Sequence, residues 1–234
     1  MRIAREGYRE ILLATLILCV LEILAVWLWW PLSLPVTVLW LWVVLFFRDP
    51  PRAAHLAAGE LFAPADGTVT EVSDLEAYEG IDGPAIRIGM FLSLFNVHIN
   101  RMPCTGRVRE VRYARGSFLD ARHRESGLRN ESNTLTLDPA PPMPGPVIVR
   151  QVAGRVARRI VCHARAGDRF LTGERFGMIK FGSRTELIVP FRDGTQVQVR
   201  VGDRVKAGLT VVARQAVAER ASPAEAEMAS LGSR

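Results

Sequence analysis

The sequence predicts a mostly β fold, a compact β-sandwich or barrel, preceded by an N-terminal transmembrane helical segment. Three observations predict it. Ile11 to Phe47 is almost unbroken aliphatic and tryptophan sequence; composition turns mixed after Arg48; and from Leu61 onward short β-branched stretches alternate with Gly, Pro and Asp turns. At 234 residues the chain can build one modest soluble core besides a membrane segment.

Ile11 to Trp30 supplies about the 20 apolar residues that a bilayer core requires, with Glu22 as its single acidic side chain. Pro31 and Pro35 interrupt the pattern, and Val36 to Phe47 is shorter than a comfortable span. Its path is open: tilted, dipping in, or continuing the first helix. The apolar region is too long for a cleavable signal peptide, and no small-residue cleavage site follows it. Arg2, Arg5 and Arg9 precede the block while Arg48 and Arg52 follow it. By the positive-inside rule this suits a hairpin in the cell membrane, with both ends and the soluble domain on the cytoplasmic side. The expected division is residues 1–47 as anchor, 48–214 as the working domain and 215–234 as a flexible tail.

Expected strands are Gly67 to Val72, Ala85 to Phe91, Gly106 to Tyr113, Ser132 to Leu137, Val147 to Val152, Arg184 to Pro190, Gln196 to Val201 and Thr210 to Arg214. The stretch from Val201 to Gly208, Val-Gly-Asp-Arg-Val-Lys-Ala-Gly, is the turn of lipoyl-like barrel-sandwich domains, with Ala63 to Val69 as a partner segment. Gly202 and Gly208 suit tight turns because glycine reaches positive φ without steric cost. Pro139 to Pro146 holds five prolines in eight residues and is read as a loop, since proline has no amide donor for a central strand.

The net charge of +6 is compatible with nucleic acid, but the arginines beside a membrane anchor make anionic lipid headgroups the nearer partner, and no nucleic acid is expected. Cys19, Cys104 and Cys162 show neither a disulfide framework nor metal-ligand spacing, so free thiols and no metal are expected.

A Gly-Ser pair at Gly182 and Ser183 stands between apolar residues and opens a strand. Alone, Gly-Ser is a common turn. Its context, Glu-Arg-Phe-Gly-Met-Ile-Lys-Phe-Gly-Ser-Arg from Glu174 to Arg184, resembles the processing site of short-form phosphatidylserine decarboxylases. The resemblance continues at Phe46 to Arg52, Pro64 to Val69, Phe91 to Pro103 and Gln151 to Cys162, and so covers most of Phe46 to Val212.

That resemblance implies a self-cleaving enzyme. Ser183 Oγ attacks the Gly182 carbonyl, the resulting ester breaks by β-elimination, and Ser183 becomes a covalently held pyruvoyl group with release of ammonia. The products are a β chain, 1–182, and an α chain, 183–234, held as a heterodimer. The pyruvoyl ketone forms a Schiff base with phosphatidylserine in the membrane, and carbon dioxide leaves to give phosphatidylethanolamine. A weak hydroxyl nucleophile requires a base and an orienter for it. His98 and Asp66 fill these places because they lie in matching motifs. Asp66-Gly67 also reads as a plain turn whose carboxylate bonds local amides. Arg101 stands where many relatives have a second histidine, although short-form relatives also show Asn-Arg there; His55, His123 and His163 are read as ordinary surface histidines. Arg48, Arg52 and the arginines between Arg115 and Arg129 are candidates for the lipid phosphate, none singled out. Two alternatives accompany this reading: a non-enzymatic, membrane-tethered lipoyl-like adaptor, and a decarboxylase of another serine phospholipid.

Overall fold

The computed structural model describes residues 2–53, 57–119, 126–141, 143–154, 159–180 and 182–216. Strand β1 (Arg2–Ile3) and a 3-10 turn (Arg5–Gly7) lead into helix α1 (Tyr8–Leu28); the turn Trp30–Leu32 then reverses the chain into α2 (Ser33–Phe46). The stretch Arg5–Leu28 is long and apolar enough to cross a membrane, whereas α2 has 14 residues and falls short. The helices run antiparallel. Trp40 Nε1 donates to Thr15 Oγ1 at 2.9 Å and Thr37 Oγ1 to Glu22 Oε1 at 3.4 Å, so the acidic side chain has a polar partner inside the hairpin. Both ends return to the same side: β1 pairs with β2 (Arg48–Asp49), and the Ala4 N–H donates to Phe47 O at 2.9 Å.

The soluble part continues with β3 (Glu60–Phe62), β4 (Gly67–Leu75), β5 (Ala85–Leu92), β6 (Ile99–Arg101), β7 (Gly106–Ala114), the one-turn helix α3 (Ser126–Arg129), β8 (Ser132–Pro139) and β9 (Val147–Val152). It ends with β10 (Arg159–Cys162), β11 (Arg169–Phe170), β12 (Arg175–Lys180), β13 (Ser183–Pro190), β14 (Gln196–Val197), β15 (Arg204–Val205) and β16 (Val211–Arg214). An eight-stranded antiparallel sheet runs β11-β7-β8-β9-β13-β5-β4-β15, and two three-stranded sheets run β10-β12-β6 and β14-β16-β3. All three contribute to one core, with Leu61, Met90, Leu135, Phe176, Leu187 and Val212 among its buried residues. The mostly β architecture with its helical N-terminus is therefore as the sequence predicts. The Pro139 to Pro146 segment beyond β8 is loop among its described residues.

Two expectations are refined. Gln196 to Val201 forms a strand only over Gln196–Val197, because Val201 and Gly202 already turn. The Val201 to Gly208 turn does meet its partner segment: β15 pairs with β4, Gly202 N–H donates to Val69 O at 2.8 Å and Gly208 N–H to Ala63 O at 2.9 Å. His55, His123, Phe181 and the tail from Val217 lie outside the described residues.

Strand β13 is hydrogen-bonded on both edges, to β5 and to β9. Its side chains alternate. Leu187 and Val189 enter the main core, whereas Ile188 joins a separate cluster with Ile81, Ala85 and Ile148. Ser183 thus stands at the head of a strand fixed from either side, on the same face as Leu187.

Candidate active site

The bond between Gly182 and Ser183 marks the passage of the chain from the small β10-β12-β6 sheet into the large one. Gly182 has φ +65°, a left-handed conformation that glycine adopts without the penalty of a Cβ. Ser183 is fully buried, and among the described residues its Oγ has no hydrogen-bond partner. Buried hydroxyls are nearly always bonded, so an orphan hydroxyl next to a glycine of this conformation is an unusual feature of the fold.

His98 lies beside this bond. It sits just before β6, fully buried, with the Gly182 N–H directed at Nε2 from 3.5 Å, long for a hydrogen bond. Its Nδ1 is 3.0 Å from Asn96 O. Since a carbonyl only accepts, Nδ1 carries the proton and Nε2 presents its lone pair to the Gly182 N–H. Burial pushes the His98 pKa from 6.5 down to about 4, against the bond to Asn96 O; the Arg48 charge adds to the lowering, and the Asp66 charge opposes it. The imidazole is therefore neutral at neutral pH. Phe46, the last residue of α2, covers one face with ring centroids 4.2 Å apart, which ties the imidazole to the end of the helical hairpin.

The turn that positions His98 is held at both ends. Ser93 N–H and Oγ–H donate to Asn96 Oδ1 at 2.9 and 2.7 Å. Arg48 donates to Phe95 O at 2.5 Å and to Leu45 O at 2.8 Å, clamping the turn to α2. Phe95 is 74% exposed beside that helix end.

Asp66 takes a different place from the one expected. Arg52 grips its carboxylate with Nη1 to Oδ1 at 2.5 Å and Nη2 to Oδ2 at 2.8 Å, and the Ala207 N–H donates to Oδ1 at 2.8 Å. The backbone carbonyl of Asn96, not Asp66, orients His98. The reason is the turn itself: the Val201 to Gly208 segment brings the Ala207 amide onto Asp66, as a turn aspartate invites. Asp66 reaches His98 only through its charge. Arg101 is likewise structural in this arrangement. Its Nη2 donates to Asp49 Oδ1 at 2.7 Å and to Pro50 O at 3.1 Å, and its Nη1 to Gly173 O at 2.9 Å. Arg175 reaches Asp49 Oδ2 at 2.5 Å. The Phe46 to Arg52 motif is thus the joint between the helical hairpin and the β part: Phe46 on His98, Asp49 on two arginines, Arg52 on Asp66.

Sequence reasoning missed the other face of β13. Arg184 is buried; its Nε donates to Glu186 Oε1 at 2.8 Å, and its Nη2 pairs with Glu71 Oε2. Gly89 on β5 leaves the space, because a Cβ there would overlap the guanidinium. Burial works against the Glu71 carboxylate, yet the Ser73 hydroxyl and Arg184 hold its pKa below the ordinary range. A buried polar row, Asn133 to Gln151 at 3.0 Å, Gln151 to Asn100 at 2.9 Å and Asn100 to Thr185 at 3.2 Å, runs from the β8-β9 pair to the strand that Ser183 opens.

Comparison with known proteins gives one consistent result. The family model described as phosphatidylserine decarboxylase matches residues 39–213. Relatives named phosphatidylserine decarboxylase proenzyme include one from Rhodopirellula baltica, 44% identical over 211 residues that make up 90% of this chain and 87% of the relative. Another, from Nitrosomonas eutropha, is 40% identical and covers 90% of this chain and 94% of its own. A third, from Geobacter metallireducens, is 40% identical over 212 residues, 90% of this chain and 95% of the relative.

Proposed function

The chain belongs to the phosphatidylserine decarboxylase family, and we propose that it converts phosphatidylserine to phosphatidylethanolamine and carbon dioxide after cutting itself between Gly182 and Ser183. The observation that carries this reading is the buried, unpartnered Ser183 Oγ at a left-handed glycine, beside a neutral histidine nitrogen.

In the cut, His98 Nε2 takes the Ser183 hydroxyl proton as Oγ attacks the Gly182 carbonyl. Burial disfavours the imidazolium, so the proton is passed on readily to the departing Ser183 nitrogen; the Asp66 charge steadies the transient cation without touching it. The bond that forms is a Gly182 ester on Ser183 Oγ, and the bond that breaks is the peptide C–N. Loss of the Ser183 α-proton then expels the Gly182 carboxylate and leaves dehydroalanine, which water converts to the pyruvoyl end group and ammonia. That group supplies the electron sink for the charge left behind by carbon dioxide. His98, at the same centre, is the residue to return a proton to the substrate carbon.

The hairpin explains how the substrate is met. Both ends of the anchor return to the domain side, where Arg2, Arg5, Arg9, Arg48 and Arg52 favour the cytoplasmic face of a cell membrane. The lipid then reaches the site without leaving the bilayer. The division into anchor 1–47, decarboxylase domain 48–214 and tail 215–234 belongs to the same reading. An adaptor without chemistry accounts for neither the orphan hydroxyl nor the family.

Intact-mass measurement of the purified protein tests this. Wild type is expected as two pieces, Met1 to Gly182 and a C-terminal fragment lighter by the ammonia lost from Ser183. A single unmodified chain that still decarboxylates phosphatidylserine would overturn the mechanism.

A further inference from the structure

Beside the site, and outside the mechanism above, lies a cavity of about 720 Å³ between the first turn of the membrane helix and the β10-β12 edge. Arg5 and Arg9 line it from the helix side, Arg159 and Lys180 from the sheet. Two carboxylates share it and are already engaged: Glu10 holds Lys180 Nζ at 2.6 Å, and Glu6 holds His163 Nε2 at 2.7 Å. The side chains of Arg5, Arg9 and Arg159 have no hydrogen bond or ion pair among the described residues, although the Arg159 charge acts on Glu10. Three guanidinium groups without a bonded carboxylate therefore line one hollow.

Their height matters as much as their charge. Arg5 and Arg9 stand immediately before Ile11, where the apolar run that can cross the bilayer begins, so the hollow opens at the level of lipid phosphates. Guanidinium groups suit such a ligand, since their planar forks match phosphate oxygens in pairs. Lys180 links the hollow to the reacting centre through the chain. Lys180 is three residues before Ser183 and lies 5.8 Å from the Phe47 ring, whose neighbour Phe46 covers His98.

We propose that this cavity binds the phosphodiester of an anionic phospholipid from the adjoining leaflet. The inference rests on the membrane anchorage in the reading above and not on decarboxylation, so the test uses a lipid that is not a substrate. Full-length protein in neutral detergent is titrated with phosphatidylglycerol, and retained lipid is counted by native mass spectrometry. Three basic groups near a membrane surface contribute enough that Arg5→Gln/Arg9→Gln/Arg159→Gln is expected to weaken retention about a hundredfold. The matching triple change to lysine is expected to keep most of it. Single Arg159→Gln, on an exposed strand end, serves if the triple variant does not fold, with a loss of about fivefold. Undiminished retention in the glutamine variants would overturn the proposal. Displacement of the lipid by glycerol phosphate at equal concentration would also overturn it, by assigning the site to free phosphate. Loss of retention with normal self-cleavage separates this site from the catalytic one.

Discussion

Ser183 and Arg184 are consecutive, equally buried, and opposite in every other respect. On one face of β13 the serine hydroxyl has no partner, next to a glycine whose N–H is directed at His98; on the other face a charged guanidinium is held by two carboxylates, over a glycine that makes room for it. The two sides of one strand differ in how far their polar groups are paired. The ion-paired side fixes the backbone at which the unpartnered hydroxyl stands.

The comparison breaks most sharply at the serine itself. Ser183→Ala is expected to abolish processing and activity entirely while leaving the melting temperature of the full-length chain close to that of an uncleaved wild type, because the lost hydroxyl made no bond. Intact mass and thermal melting check both halves. Arg184→Leu is expected to do the reverse in kind. Glu71 and Glu186 would lose their nearest cation and keep only Arg87 and Arg150, at 3.6 to 4.0 Å, costing about 3 kcal/mol, visible as a large fall in melting temperature in the Ser183→Ala background.

His98 sharpens the contrast through pH. Its folded pKa of about 4 lies below the 6.5 of the unfolded chain, so as pH falls through that window the unfolded state takes up a proton that the folded state refuses. Stability is therefore expected to decline from pH 6.5 to 4 by about 3 kcal/mol from this residue. His98→Gln in the Ser183→Ala background should remove that part of the acid slope. An unchanged slope would mean that the imidazole is not buried as described. The smallest effect is expected at Gly89→Ala, where a methyl group displaces Arg184 at about 1–3 kcal/mol, measured by thermal melting, without touching the hydroxyl side.

The long strands and the family were legible in the sequence because alternation announces the one and a specific string the other. Val147–Val152 is found with the expected bounds, and Arg184 to Pro190 lengthens by one residue to begin at Ser183. The short strands Ile99–Arg101 and Arg175–Lys180 were not legible, since their charged ends look like loop and their pairing is tertiary. Nor was the Arg184 cluster. A charge in a strand reads as a solvent-facing position, and only Gly89, a glycine inside a mostly apolar strand, hinted at something large across from it. Asn96 and Phe46 escaped for another reason: one acts through its backbone carbonyl and the other through a ring stacked from a distant helix, and neither leaves a mark in residue type.

The double-edged pairing of β13 has a consequence for endurance. Most prosthetic groups can be lost by dilution, because an equilibrium holds them. Here the reactive carbonyl would be the first atom group of a polypeptide laced into a sheet through β5 on one side and β9 on the other, with β15 and β16 stitched onto β4 and β3 as well. Removing it would require unravelling the whole sheet, so a nicked molecule would keep its working end group for as long as it stays folded.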